Sequence, residues 1–169
     1  MQNNINAIIV EDVKKFHAVI ETFLNEVAPQ VKIIGNATSL VEAKEFILKL
    51  SPQLVFLDIQ FDAEGKTAFD LLKDLSDLNK LDFQIIIITA FNQNEYYEEA
   101  FNYGALHFLT KPIDKVKLKN AINRVSQRMN QFSGNQLLNQ FMQFHEQIHS
   151  PKTNNKIVVE GLNFTEIVS

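Results

Sequence analysis

The feature that most limits what this chain can fold into is an alternation of two apolar patterns, repeated five times over roughly its first 125 residues. Short apolar runs stand at Ile5–Val10, Val31–Gly35, Leu54–Asp58, Gln84–Thr89 and Leu106–Leu109. Most are apolar on both faces, as strands covered on two sides must be. Each is followed by a stretch with helical periodicity: Val13–Val27, Leu40–Leu50, Phe69–Leu78, Glu95–Tyr103 and Val116–Phe132. The first of these stripes Phe16, Val19, Ile20, Phe23, Leu24 and Val27 along one side, and the last stripes Leu118, Ala121, Ile122, Val125, Met129 and Phe132. Right-handed crossovers then predict a doubly wound α/β domain, with five parallel strands and helices on both faces.

A chain of 169 residues has room for that domain and an appendage, not for two full domains. Its 46% hydrophobic and 21% charged residues suit a globular core, to which 14 Phe contribute. The absence of cysteine excludes a disulfide framework, a thiolate metal site and a Cys nucleophile. No apolar stretch reaches the ~18 residues of a membrane span, and the N-terminus lacks a secretory pattern. The expectation is therefore a cytoplasmic chain that does not engage membrane.

Charge divides unevenly along the chain. Residues 1–114 carry 9 Lys and Arg against 17 Asp and Glu, whereas residues 115–156 carry 7 against 1. An acidic body thus leads into a basic, helix-like segment, whose simplest reading is a solvated face. Ser133-Gly134 predicts a break, after which Leu137, Leu138, Phe141, Phe144 and Ile148 stripe a helical extension suited to packing within the chain or across a dimer. Ser150-Pro151-Lys152-Thr153-Asn154-Asn155 has the composition of a linker, and Lys156–Glu160, Gly161 and Phe164–Val168 open like a β-hairpin. The expected divisions are 1–128, 129–151 and 152–169.

In an open α/β sheet, ligands bind beyond the carboxyl ends of the strands. There the sequence places Glu11-Asp12 after the first strand, Asp58 at the end of the third, Thr89-Ala90 at the fourth and Lys111-Pro112 past the fifth. A carboxylate that ends a buried strand is costly to desolvate without a partner, so three of them beside a lysine predict a site. Magnesium is the natural partner, since it prefers oxygen ligands and binds through a few carboxylates. An aspartate backed by Mg²⁺, a hydroxyl and an ammonium suits acceptance of a phosphoryl group.

These residues resemble the receiver domain of two-component response regulators. The acidic pair Glu11-Asp12, Asp58 in "VFLDIQ", Thr89 in "IITA", the aromatic Phe108 and Lys111 in "LTKPID" carry the resemblance, which covers residues 5 to about 128. It implies the flavodoxin-like strand order 2-1-3-4-5. Asp58 would accept phosphate from a sensor histidine kinase, and Glu11, Asp12, Asp58 and the main-chain carbonyl of Gln60 would hold Mg²⁺. Thr89, Ala90, Phe108, Lys111 and Pro112 would bind the phosphoryl group or transmit the change. The output would be the surface of the fourth helix, fifth strand and fifth helix, where such domains dimerise. The tail "NKIVVEGLNFTEIV" is similar to the opening strands of a LytTR-type DNA-binding module, of which the resemblance implies most is missing here. DNA would be a partner only through that module.

The sequence departs from the family pattern after Asp58, where Phe61-Asp62 stands in place of Met/Leu-Pro and "DAEGKTAFDLL" is long, with Ala68 at a usual glycine. Phe108 replaces the commoner Tyr, so the resemblance implies a switch by packing without a hydrogen bond donated from the ring. A phosphatase with an aspartate nucleophile would want D-x-D, whereas this trio is Asp58-Ile59-Gln60, and no other catalysis is expected beyond slow loss of the phosphoryl group. A flavin or nucleotide binder would want a Gly-rich loop where Glu11-Asp12-Val13-Lys14 stands. A receiver acting alone as a phosphorelay shuttle is the alternative within the family. Among the four histidines, only His145 and His149 share helical spacing, without a carboxylate to complete a metal site.

Overall fold

The computed structural model describes residues 4–61, 65–90 and 94–131. Five strands form one parallel sheet: β1 Ile5–Val10, β2 Val31–Ala37, β3 Leu54–Leu57, β4 Gln84–Thr89 and β5 His107–Thr110. Their spatial order is β2-β1-β3-β4-β5, the doubly wound arrangement expected from the alternation. The helices are α1 Lys14–Val27, α2 Leu40–Leu50, α3 Ala68–Asp77, α4 Asn94–Asn102 and α5 over residues 115–131.

Period-two alternation sorts the strand side chains between two cores. Ile8, Val10, Val55, Leu57, Ile85 and Ile87 face α2, α3 and Ala100 of α4. Ala7, Ile9, Leu54, Phe56, Ile86 and Ile88 face α1 and α5. Both faces are filled by β-branched and aromatic residues, which accounts for strand runs with little polar alternation. Removing a side chain such as Phe56 from such a core costs about 3–5 kcal/mol.

Three local findings refine the sequence reading. β2 continues to Ala37 rather than stopping at Gly35, and its register against β1 shifts between Ala7 and Ile8. Gly35 allows α2 to approach: a Cβ there would lie 3.0 Å from the Phe46 ring. Of the expected α1 stripe, Ile20, Phe23, Leu24 and Val27 pack on the core, joined by buried His17, while Val19 is exposed and the Phe16 ring lies against Lys111. The long loop after Asp58 folds back as a short antiparallel ladder, Gln60–Phe61 against Lys66–Thr67, which the sequence did not announce.

The α2 N-terminus is capped by Ser39, whose Oγ accepts the Glu42 N–H at 3.1 Å. At α3, Asp70 Oδ2 accepts the Thr67 N–H at 2.9 Å, half of a reciprocal capping box. Residues 1–130 form one compact unit. The expected break at Ser133-Gly134, the stripe Leu137–Ile148, the linker, the hairpin and the pair His145 and His149 lie outside the described residues. Among the described residues no helix is long and apolar enough to cross a membrane.

Candidate phosphoryl-acceptor site

β1 and β3 are adjacent parallel strands, so their carboxyl ends deliver Glu11, Asp12 and Asp58 to one place. Glu11 continues the ladder by donating its N–H to Ala37 O at 3.0 Å, and Asp58 donates to Val10 O at 2.9 Å. The three side chains each offer an oxygen within 4.8 Å of the others. Glu11 and Asp58 are buried, at 2% and 8% exposure, and Asp12 is half-buried.

Lys111 follows β5 and is anchored by its N–H on Thr89 O at 2.8 Å, with a cis peptide bond to Pro112. Its ammonium donates to Glu11 Oε2 at 2.5 Å and Asp58 Oδ2 at 2.6 Å. Asp58 Oδ1 accepts the Ile59 N–H at 2.6 Å, and Glu11 Oε1 lies 3.3 Å from the Val13 N–H. Like charges this close repel by about 3–4 kcal/mol at an effective dielectric near 20. With one ammonium against three carboxylates, the pocket keeps two uncompensated negative charges when fully ionised.

Burial raises the Glu11 carboxyl from its usual 4.5 to about 7; the Lys111 hydrogen bond opposes this and the Asp58 charge adds to it. For Lys111, burial works to lower the ammonium but is outweighed by Asp58 and Glu11, so the group is held above its ordinary value. All ligand atoms are hard oxygens, and the charge left over matches a divalent cation, so the residues fit Mg²⁺.

The other expected residues lie close by in the fold. Thr89 is fully buried at the end of β4. Phe108 pairs in register with Ile87, two residues before Thr89 and on the same face of the sheet, and its ring packs on Tyr97 with centroids 4.1 Å apart. Ala90 and Pro112 are exposed. Gln60 is half-buried, and its side-chain amide donates to Tyr96 Oη on α4 at 3.1 Å.

Sequence reasoning passed over Phe16, His17 and Tyr96. The Phe16 ring lies 4.2 Å from the Lys111 ammonium. His17, which sequence spacing left without a partner, is buried with Nε2 2.7 Å from the main-chain oxygen of Glu11. A carbonyl only accepts, so Nε2 carries the proton. Phe16 and His17 stand four and five positions past the acidic pair, in the first helical turn, and that proximity was the available signal.

Comparison with known proteins agrees with this geometry. Residues 7–123 match the family described as response regulator receiver domain. Among relatives, the sensory transduction protein LytT of Enterococcus faecalis is 34% identical over 103 residues, covering 61% of this chain and 40% of its own length. The transcriptional regulatory protein BtsR of Escherichia coli is 31% identical over 127 residues, covering 73% of this chain and 48% of its own length. The chain thus spans about half or less of the length of these relatives. A crystal structure of a DNA-binding response regulator of the LuxR family from Staphylococcus aureus superposes with a TM-score of 0.63 at 22% identity, over 72% of this chain and 98% of that one, which speaks to the fold. A family match that runs from inside β1 into α5 takes in every strand end that meets at the acidic pocket, and it places the chain among the two-component response regulators, as the bearer of their receiver domain.

Proposed function

We propose that Asp58 accepts a phosphoryl group from the phosphohistidine of a sensor histidine kinase. The observation that carries this reading is the pocket itself: a buried aspartate held by Lys111 beside two further carboxylates, with charge left for a divalent cation. An Asp58 carboxylate oxygen attacks phosphorus, a P–O bond forms, the P–N bond breaks, and its electron pair returns to the kinase imidazole. Glu11, Asp12, Asp58 and the main-chain carbonyl of Gln60 would hold Mg²⁺, which neutralises charge on the transferring oxygens. Lys111 takes one phosphoryl oxygen, while Thr89, with the adjacent Ala90, takes another.

Phosphorylation adds about −1.5 to −2 charges at neutral pH, which draws Lys111 and Thr89 toward the new group. The aromatic contact between Phe108 and Tyr97 ties that movement to α4. The surface of α4, β5 and α5 is the output face; it exposes Phe101 and Val116, at 79% and 67%, apolar area that a second copy would cover. We further assign residues 129–151 to a helical linker and 152–169 to the start of a LytTR-type output module, through which a transcriptional regulator would reach DNA. The similarity to LytT supports that class.

Incubation with a small phosphodonor and Mg²⁺ should add one phosphoryl mass, and Asp58→Asn should abolish it. Equal labelling of that variant would sink the assignment.

A further inference from the structure

We propose that Phe16 is a positioning residue for Lys111, setting where the ammonium stands before and after phosphoryl transfer. The inference rests on the phosphoryl-acceptor reading above. An ammonium has three N–H groups, and two of them go to Glu11 Oε2 and Asp58 Oδ2. The Lys111 side chain is only 9% exposed, and the Phe16 ring lies 4.2 Å from its nitrogen. That is well within the ~6 Å over which a ring quadrupole attracts a cation, and the attraction strengthens as water is excluded.

The chemistry of the third partner matters. A third carboxylate would hold Lys111 away from a phosphoryl oxygen, and a hydroxyl would admit water beside the acyl phosphate. An aromatic face does neither. It attracts without a fixed hydrogen-bond direction, so the ammonium can slide from Glu11 toward the phosphoryl group without leaving the ring.

The position of the ring is itself tied to Glu11. The N-cap of α1 is Val13, which supplies no side-chain cap. The first turn is held instead by Glu11: its Oε1 lies near the Val13 N–H, and its carbonyl accepts from His17 Nε2 at 2.7 Å. Phe16 lies between these two attachments in sequence and donates its N–H to Val13 O at 2.9 Å. Any displacement of β1's end therefore moves the ring that faces Lys111.

The test compares Phe16→Leu, which keeps apolar bulk but loses the ring, with Phe16→Tyr, which keeps the ring. Phosphoryl uptake from a small phosphodonor with Mg²⁺ should slow about five-fold in Phe16→Leu and stay near the unmodified rate in Phe16→Tyr. In a Lys111→Ala background the Leu substitution should change the rate less than about two-fold, since its effect runs through the lysine. A second readout needs no phosphoryl chemistry: proton exchange of the Lys111 ammonium with water, followed by nitrogen NMR on the metal-free protein, should quicken in Phe16→Leu and hold in Phe16→Tyr. Unchanged exchange in Phe16→Leu overturns the proposal. So does a Tyr variant as slow as the Leu variant, or an equal slowing with and without Lys111. If the unmodified protein takes up no phosphoryl group, the acceptor reading has failed, and the exchange measurement alone decides for Phe16.

Discussion

The two ends of the sheet solve the same problem in opposite ways. At the amino end, strands are joined by neutral groups: Gln53 N–H donates to Asn6 O at 2.8 Å, Gln84 N–H to Gln53 O at 2.9 Å, and Asn6 N–H to Gln53 Oε1 at 3.0 Å. Asn6 and Gln53 are exposed, so water can replace any bond that is lost. At the carboxyl end, the ionisable side chains of Glu11, Asp58 and Lys111 are shut away from water. The amino end links its strands through neutral, solvent-exposed bonds, while the carboxyl end gathers three carboxylates around one ammonium. Buried charge that is partly matched costs stability, and among the described residues its presence at one end alone marks that end as the site of chemistry.

The sharpest break of this comparison is Lys111→Met. Removing the ammonium leaves two buried carboxylates facing each other, and losing one partner of a buried ion pair costs about 3–5 kcal/mol. We expect the lower part of that range at pH 8 without Mg²⁺, read from urea unfolding, with most of it restored by millimolar Mg²⁺. A loss under ~1 kcal/mol would show that the carboxyl end carries little electrostatic strain.

How much of this asymmetry could be read beforehand follows from what sets each part. The strand order and the meeting of Glu11, Asp12, Asp58 and Lys111 were legible, because parallel strands of known order must bring their carboxyl ends together. Phe16 and Val19 share an apolar stripe with the core residues Ile20 and Leu24, and spacing alone does not separate a core face from a ring turned toward a cation or a valine left exposed. The ladder of Gln60–Phe61 with Lys66–Thr67 escaped notice for another reason: it depends on a turn through the loop rather than on any apolar pattern. His17 was left partnerless because its partner is a main-chain oxygen, and every residue has one.

The next expected effect concerns pH. Because Glu11 is raised to about 7 in the fold from its usual 4.5, the folded state binds more protons than the unfolded state between those values. The contribution of Glu11 to stability is therefore fully present below about pH 4.5 and is lost as pH climbs through 7, a change of roughly 3 kcal/mol. The Glu11→Gln variant should lack this falling limb in urea unfolding taken from pH 5 to 8 without metal. Mg²⁺ should flatten it in the unmodified protein, since the cation favours the charged carboxylate. A profile of the same slope in both proteins would show that Glu11 is not the source of the pH dependence.

The smallest effect is expected where the sheet is already closed. Gln53→Ala removes the side-chain oxygen that accepts the Asn6 N–H, a bond exposed to solvent at the amino end. Water takes over the freed N–H, so the net loss should be about 0.5 kcal/mol. No ionisable group takes part, so that loss should be the same at pH 5 and pH 8 and indifferent to Mg²⁺, unlike either carboxyl-end variant. If Gln53→Ala instead gained or lost stability with pH or metal, the two ends would be coupled through β1 and β3, and the division between a closed end and an open one would have to be abandoned.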